Sequence, residues 1–330
     1  MMPSRDPATT LRKKPLQESV VRLPRIVCVV GPTSSGKTDL GIRLAQAFQG
    51  EVINADARQV YQEVHIGTGK PSKGVSGMYH HRRTFMVEDV PHHLMDILAP
   101  QQLFTVADWR LKALERMKSI IRRHHVPLVV GGTGLYIQAL VDNYQIPEVA
   151  PQASFRDAME IKTLDELVEM LRRTDPGAVD VVDLKNRRRV LRALEVVTFT
   201  GHSFVEQRAP GKPIVEALML APFQEKETLH QRISESVDKM VQRGWAEEIE
   251  RLHAQGVPWD APAMSSIGYR ELGMYVRGEC TREEAIEGVK RATRQYAKRQ
   301  MTWFKRDKRI HWVKGFEEAK ILMEEWLRAA

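Results

Sequence analysis

The sequence predicts an α/β protein, a parallel sheet flanked by helices and interrupted by a helical insertion. Three observations predict it. Short apolar runs rich in β-branched residues end in glycine turns and are followed by helical spacing. Between residues 144 and 212 the apolar spacing is helical, with little strand signal. A strand pattern returns at Ile214–Leu220. Strand, turn and helix recurring in order are the mark of a parallel sheet covered by crossover helices.

Arg25–Val30 (RIVCVV) reads as the first buried strand, Gly31–Thr38 as a loop and Asp39–Phe48 as a helix. Glu51–Ala55 is a second buried strand, and Thr84–Val90 a third. Thr105–His125 has the spacing of a long amphipathic helix. Pro127–Val130 is the next strand and runs into Gly131-Gly132-Thr133-Gly134 and a helix. In the insertion, Leu164–Arg173 and Arg187–Phe199 are the clearest helices, bounded by Pro147 and Pro151 before and Pro210 and Pro213 after. Helices are expected at Lys226–Arg243, Ala246–Gln255, Tyr269–Arg277 and Thr281–Lys305, then a strand at Arg309–Val313 and a helix at Phe316–Leu327. The division is therefore a basic, disordered tail (1–24), a core in two parts (25–143 and 213–330) and an insertion domain (144–212).

The 330 residues suffice for a core that needs no covalent staples. Only two cysteines occur, Cys28 and Cys280, with no metal-binding spacing, so a reducing compartment, the cytoplasm, is expected. No apolar run is long enough to span a membrane, and no apolar stretch follows Arg12, Lys13 and Lys14 as a signal peptide requires. The formal charge of +8 suggests a polyanionic partner.

Gly31-Pro32-Thr33-Ser34-Ser35-Gly36-Lys37-Thr38 fits G-x-x-x-x-G-K-[ST], with a strand before it and a helix after it. This motif makes the core P-loop NTPase-like. Its glycines let backbone N–H groups converge on a phosphate, the helix adds its positive end, Lys37 adds a charge, and Thr38 offers a hydroxyl to Mg²⁺. A nucleoside triphosphate and a prenyl diphosphate carry the same charged head. Asp56, at the end of the second strand, belongs at the same sheet edge, where it could hold a metal through water, accept a proton, or merely cap a turn. Thr133 could cap its helix or contact a ligand, and the bare Gly131, Gly132 and Gly134 let something large approach. Between Gly288 and Arg309 stand nine Lys/Arg and one acid. Lys290, Arg294 and Lys298 share a helix face, flanked by Arg291 and Arg299, with Trp303 and Phe304 near its end, a pattern that suits a phosphate backbone. Arg187, Arg188, Arg189 and Arg192 form a second basic run.

Together, GPTSSGKT (31–38), INADARQVY (53–61), IGTGKP (66–71), HHLMDIL (92–98), VVGGTGLY (129–136), RRVLRALE (188–195), SSIGYREL (265–272) and RATRQYAKRQMTWF (291–304) resemble the tRNA dimethylallyltransferase (isopentenyltransferase) family from about Arg25 to Val313. The resemblance implies transfer of the prenyl group of dimethylallyl diphosphate to N6 of adenine 37 in tRNAs that read codons beginning with U, with Mg²⁺ assisting. It implies that Thr33 to Thr38 and Arg232 hold the diphosphate. It implies that Asp56 holds the amine and takes its proton, with Thr133 beside the reacting base. Further tRNA contacts map to Ala57, Arg58, Gln59, Arg156, Arg188, Arg189, Arg192, Ser266, Gly268, Tyr269, Arg270, Lys298, Arg299, Gln300 and Trp303. A monomer with a channel entered by donor and tRNA from opposite ends is expected, and the lack of a C-terminal zinc-finger extension points to a bacterial form. The sequence departs from the family pattern at Ala57 (usually serine), Ala99 (commonly aspartate) and Ser236 (often arginine). Two rival readings are a P-loop kinase acting on a small metabolite, which leaves the basic helix idle, and a non-catalytic RNA-binding protein, which leaves Lys37, Thr38 and Asp56 idle.

Overall fold

A computed structural model describes residues 23–144, 149, 151–206 and 210–329. The expected tail up to residue 22, and Pro147 at the insertion boundary, lie outside the described residues.

The chain runs β1 (Arg25–Val30), α1 (Lys37–Ala47), β2 (Gly50–Asn54), β3 (Val75–Tyr79), β4 (Arg82–Val87), β5 (Val90–His93), α2 (Val106–Arg122), β6 (Val126–Gly131) and α3 (Gly134–Val141). Then come α4 (Ala153–Glu160), α5 (Leu164–Thr174), a 3-10 turn (Pro176–Asp180), α6 (Arg187–Thr200) and β7 (Glu216–Pro222). It ends with α7 (Lys226–Gln242), α8 (Trp245–Ala254), α9 (Tyr269–Val276), α10 (Arg282–Lys305), β8 (Ile310–Val313) and α11 (Phe316–Arg328). Local chemistry sets several helix starts. Thr105 with Asp108, Thr163 with Glu166 and Thr281 with Glu284 form reciprocal capping boxes, each satisfying two otherwise unpaired amides. Gly201, in the left-handed region at φ 70°, ends α6.

Eight strands form one sheet in the order β3-β4-β5-β2-β6-β1-β7-β8. The six from β5 to β8 are parallel, and β3 and β4 add an antiparallel edge. The expected strand at Thr84–Val90 is thus two: β4 turns after Val87 and returns as β5. Expected strand β2 stops at Asn54, one residue before Ala55. Alternation along β1 sends Ile26, Cys28 and Val30 to a core under α2 and α3, and Val27 and Val29 to a core under α1 and α11. This is a three-layer α/β sandwich. A second body of packing, built on α7 to α9, buries Val60, Val64, Trp245, Ile249 and Leu272. Helices α4 to α6 surround a core of their own, with Leu167, Leu171, Val190 and Leu194.

One core residue gives the fold a pH dependence. His92 on β5 is 2 % exposed and its Nδ1 lies 3.0 Å from the Val90 carbonyl. Burial lowers its pKa from 6.5 to about 4. In the window between those values the unfolded chain binds the proton and the folded chain does not. Stability therefore falls as pH drops through that window, by roughly 3 kcal/mol. Urea unfolding at pH 7 and at pH 4.5 measures this, and His92→Gln flattens the difference.

Candidate active site

The phosphate loop follows β1, and Asp56 follows β2, with β6 between them. Val30 is in register with Gly131, and Asn54 with Val130, so all three strands end at one level. Two strand spacings, roughly 10 Å, separate the loop from Asp56. Between them opens a cavity of about 400 Å³, walled by Thr33 and Ser34 of the loop, Asp56, Ala57 and Arg58, Thr133, and side chains of α7 and α10.

The loop has the backbone that phosphate binding requires. Gly31 and Gly36 lie at φ 143° and 91°, which only glycine adopts without strain. Gly36 serves as the N-cap of α1 without a side-chain cap, leaving the helix end open. Ser35 is buried and its Oγ has no hydrogen-bond partner. Lys37 folds back to donate to the Pro32 carbonyl (3.1 Å). Burial pushes its pKa down, and the carboxylate of Asp56 pulls in the opposite direction. An unfilled hydroxyl and an ammonium short of charge partners both suit an incoming anion.

Asp56 is held from three sides. The buried amide of Asn54 donates to the Asp56 and Leu94 carbonyls and accepts from the Asp56 amide, all at 3.0–3.1 Å. Trp109 Nε1 donates to the Asn54 carbonyl (2.8 Å). Asp56 Oδ1 accepts from the Arg58 amide (2.8 Å), which fixes the carboxylate toward the cavity. Thr133 is at the N-cap position of α3 but makes no cap; its Oγ1 accepts from the Ala57 amide (3.0 Å). Tyr296 reaches the cavity from α10, and burial pushes its hydroxyl up to about 12, so it stays a neutral donor.

The bare atoms of the GGTG turn admit protein. A Cβ on Gly131 would fall 2.2 Å from the Ala55 backbone, on Gly132 2.3 Å from Gln300, and on Gly134 2.4 Å from Trp303. Gln300, 6 % exposed, accepts from the Thr33 amide (2.9 Å) and donates to the Gly132 carbonyl (2.8 Å). It ties the two loops together, so its side chain is engaged by the protein. Tyr269 is engaged in the same way. At 1 % exposure its hydroxyl donates to Glu248 (2.5 Å) and accepts from the Gly67 amide (3.2 Å). Glu248 also accepts the His65 and Ile66 amides, so α8 and α9 pin the loop before Gly69. Trp245 is clamped between the same loops; a Cβ on Gly67 or Gly268 would lie within about 2 Å of its ring. Gly268 is therefore a packing residue. Gln59 binds the Thr68 carbonyl, and Lys70, buried against Asp96 (2.5 Å), anchors the other end of the loop.

Other expected contacts separate into groups. Arg58, Ser266 and Arg299 line the cavity. Arg232 is exposed on α7 and outside the cavity wall, where Ser236 stands instead. Arg232 shares the face of Ser236 but lies one turn earlier along α7, beyond the residues that wall the cavity. Arg156 and Arg192 both bind the buried Glu195, at 2.9 and 2.6 Å. Burial works to raise that carboxyl, but the bonds from Arg156, the Gln152 amide and Arg192 win and hold it below its usual range. Both arginines thus organise the insertion. Arg188 and Arg189 are exposed, Arg189 3.7 Å from Asp183, and Arg270 pairs with Glu271 (2.5 Å). The basic stripe of α10 is only partly open. Lys290 pairs with Asp238 (2.8 Å) and Arg294 donates to Ser234 (3.0 Å), both on α7, while Lys298 is exposed and Trp303 is 38 % exposed.

Residues 59–307 match the family model of IPP transferases. The chain belongs to that family. It is 38% identical over 290 residues to the tRNA dimethylallyltransferase of Anoxybacillus flavithermus, covering 87% of this chain and 89% of that one. To the tRNA dimethylallyltransferase of Shouchella clausii it is 39% identical over 311 residues, covering 92% and 96%. The crystal structure of the full-length tRNA isopentenylpyrophosphate transferase from Bacillus halodurans superposes with a TM-score of 0.66 at 31% identity, over 93% of this chain and 96% of the other. A eukaryotic dimethylallyltransferase acting on tRNA superposes with a TM-score of 0.69 at 30% identity, over 85% and 70%. Members of the IPP transferase family thus share both the sequence and the fold of this chain. Asn54, Tyr296, Trp245 and Glu248 are site-building residues that pattern reading missed. Of these, only Asn54, a polar residue inside an apolar strand, carries a visible signal.

Proposed function

We infer that this chain is a tRNA prenyltransferase, moving a dimethylallyl group from dimethylallyl diphosphate to N6 of adenine 37. The observation that supports it best is the joint opening of the phosphate loop and Asp56 onto one cavity. Its volume lies within the roughly 300–1,000 Å³ of small-molecule sites. The N6 lone pair attacks the allylic carbon, the bond from that carbon to the diphosphate oxygen breaks, and the N6 proton passes to Asp56. Diphosphate departs with the electron pair, its growing charge met by Lys37 and the amides of the loop. The adenine must leave its stack to reach the cavity, which a single-stranded anticodon loop permits at low cost.

A divalent cation, Mg²⁺ in this reading, would be shared between the diphosphate and the Thr38 hydroxyl. The described residues hold no cluster of three metal-ligating side chains, and Mg²⁺ bound chiefly through phosphate needs none. Bound there, it would offset charge on the leaving group. The division at residues 144 and 212, action as a monomer and a cytoplasmic setting belong to the same reading. No helix among the described residues is long and apolar enough to cross a membrane.

Mass spectrometry of nucleosides tests the reading. An unmodified tRNA with adenines at 36–38, incubated with protein, donor and Mg²⁺, gains one prenyl unit on a single adenosine. No gain, or phosphorylation of a small molecule when ATP replaces the donor, rejects it. Exposed Lys298 is read as a contact to the tRNA backbone. Lys298→Ala should weaken tRNA binding several-fold and lower the slope of log affinity against log salt by about 1, with chemistry unchanged. Filter binding at several salt concentrations measures it.

A further inference from the structure

Away from the catalytic cavity, a pocket of about 200 Å³ lies between β4, the chain following β5 and one face of α2. It shares no lining residue with the catalytic cavity. Five cations line it: Arg82, Arg83, Lys112, Arg116 and Arg123. Two carboxylates meet them. Glu115 bonds Arg82 (3.1 Å), and Glu51 bonds Arg123 (2.7 Å). Three cations are left over. Arg83 and Lys112 are exposed and can rely on water. Arg116 cannot do so fully. Its side chain is 21% exposed, its nearest carboxylate is 3.7 Å away, beyond hydrogen-bond range, and it makes no hydrogen bond among the described residues.

Burial pushes the Arg116 guanidinium below its usual range; Glu115 opposes this, and Arg82 and Arg123 add to it. Like charges gathered around a half-buried fork of donors are costly without an anion. The Ser119 hydroxyl accepts from Arg123 (2.7 Å), which leaves its own hydrogen to donate. The pocket is smaller than the roughly 300 Å³ of drug-sized sites, so the occupant is a compact group.

We propose that this pocket binds a phosphate group, held by the fork of Arg116 and completed by Arg83 and Lys112. The group comes either as a free anion, phosphate or diphosphate, or as a backbone phosphate of RNA. Carboxylates fit less well, because one negative charge leaves two cations unmatched.

Calorimetric titration of the full chain with inorganic diphosphate, and separately with phosphate, tests the free form. Two sites are expected. Lys37→Ala should remove one and leave the other, and Arg116→Gln should weaken that other at least tenfold. Arg116→Lys, which keeps the charge and loses the fork, should recover part of the affinity. A tRNA titration distinguishes the second source. If diphosphate binds only at Lys37 but Arg116→Gln weakens tRNA at least threefold and lowers its salt slope by about 1, the phosphate belongs to RNA. If Lys37→Ala abolishes all diphosphate binding and Arg116→Gln leaves tRNA affinity and salt slope unchanged, the proposal fails. Should Arg116→Gln lose its cooperative thermal transition, Arg83→Gln is read in the same titrations with the same outcomes.

Discussion

Asp56→Asn lowers turnover about a thousandfold and leaves tRNA affinity within about twofold. Asparagine keeps the shape of the side chain, and its oxygen can still accept the Arg58 amide as Asp56 does at 2.8 Å. The scaffold of Asn54 and Trp109 behind it is untouched. An amide cannot take up the N6 proton, so the loss falls on the chemical step. Positioned general bases contribute about 10²–10⁴-fold, and the middle of that range is expected here. Single-turnover kinetics with saturating donor and tRNA separate the step from binding. A variant that retains more than a third of wild-type turnover would remove Asp56 as proton acceptor.

The second large effect belongs to Lys37. Its ammonium is already disfavoured by burial, and Asp56 alone offsets that in part. A bound diphosphate supplies the missing counter-charge, and more of it as the allylic bond breaks. Lys37→Ala should therefore reduce kcat/KM for the donor by about 10²–10³, the scale on which a single preorganised donor to a developing anion acts. Binding of tRNA should hold, since Lys37 sits at the loop rather than on the open face of α10. Initial rates at varied donor concentration, with tRNA saturating, decide it. An unchanged kcat/KM would mean that the loop does not carry the leaving group.

Most of the helices and parallel strands were legible because each announces itself locally. A run such as RIVCVV has one stable place, a strand buried on both faces. The three Thr-x-x-acid boxes mark helix starts within a residue or two. The antiparallel edge was not legible. Strand β3 (VSGMY) is short and largely exposed, so no burial pattern marks it. The short α4 buries no residue and escaped for the same reason. Charge was read less well than apolar spacing. Lys290, Arg294 and Lys298 do share a face, but two of the three are engaged by α7. Periodicity reports which side of a helix a residue is on, not what packs there.

By itself, then, the sequence determined the α/β class, the phosphate loop, the acid at the end of the second strand and the family, because these rest on contiguous residues whose backbone chemistry is local. Only the tertiary structure decided which glycines serve a ligand and which serve a neighbour such as Trp245, Gln300 or Trp303. It alone showed that Tyr269, Gln300, Arg156 and Arg192 bond to partners within the protein, and it alone gathered five cations from β4, α2 and the residue after α2 around one pocket. The reason is physical: a side chain's role depends on the partners that burial gives it, and a partner can lie 267 residues away along the chain, as Thr33 and Gln300 show.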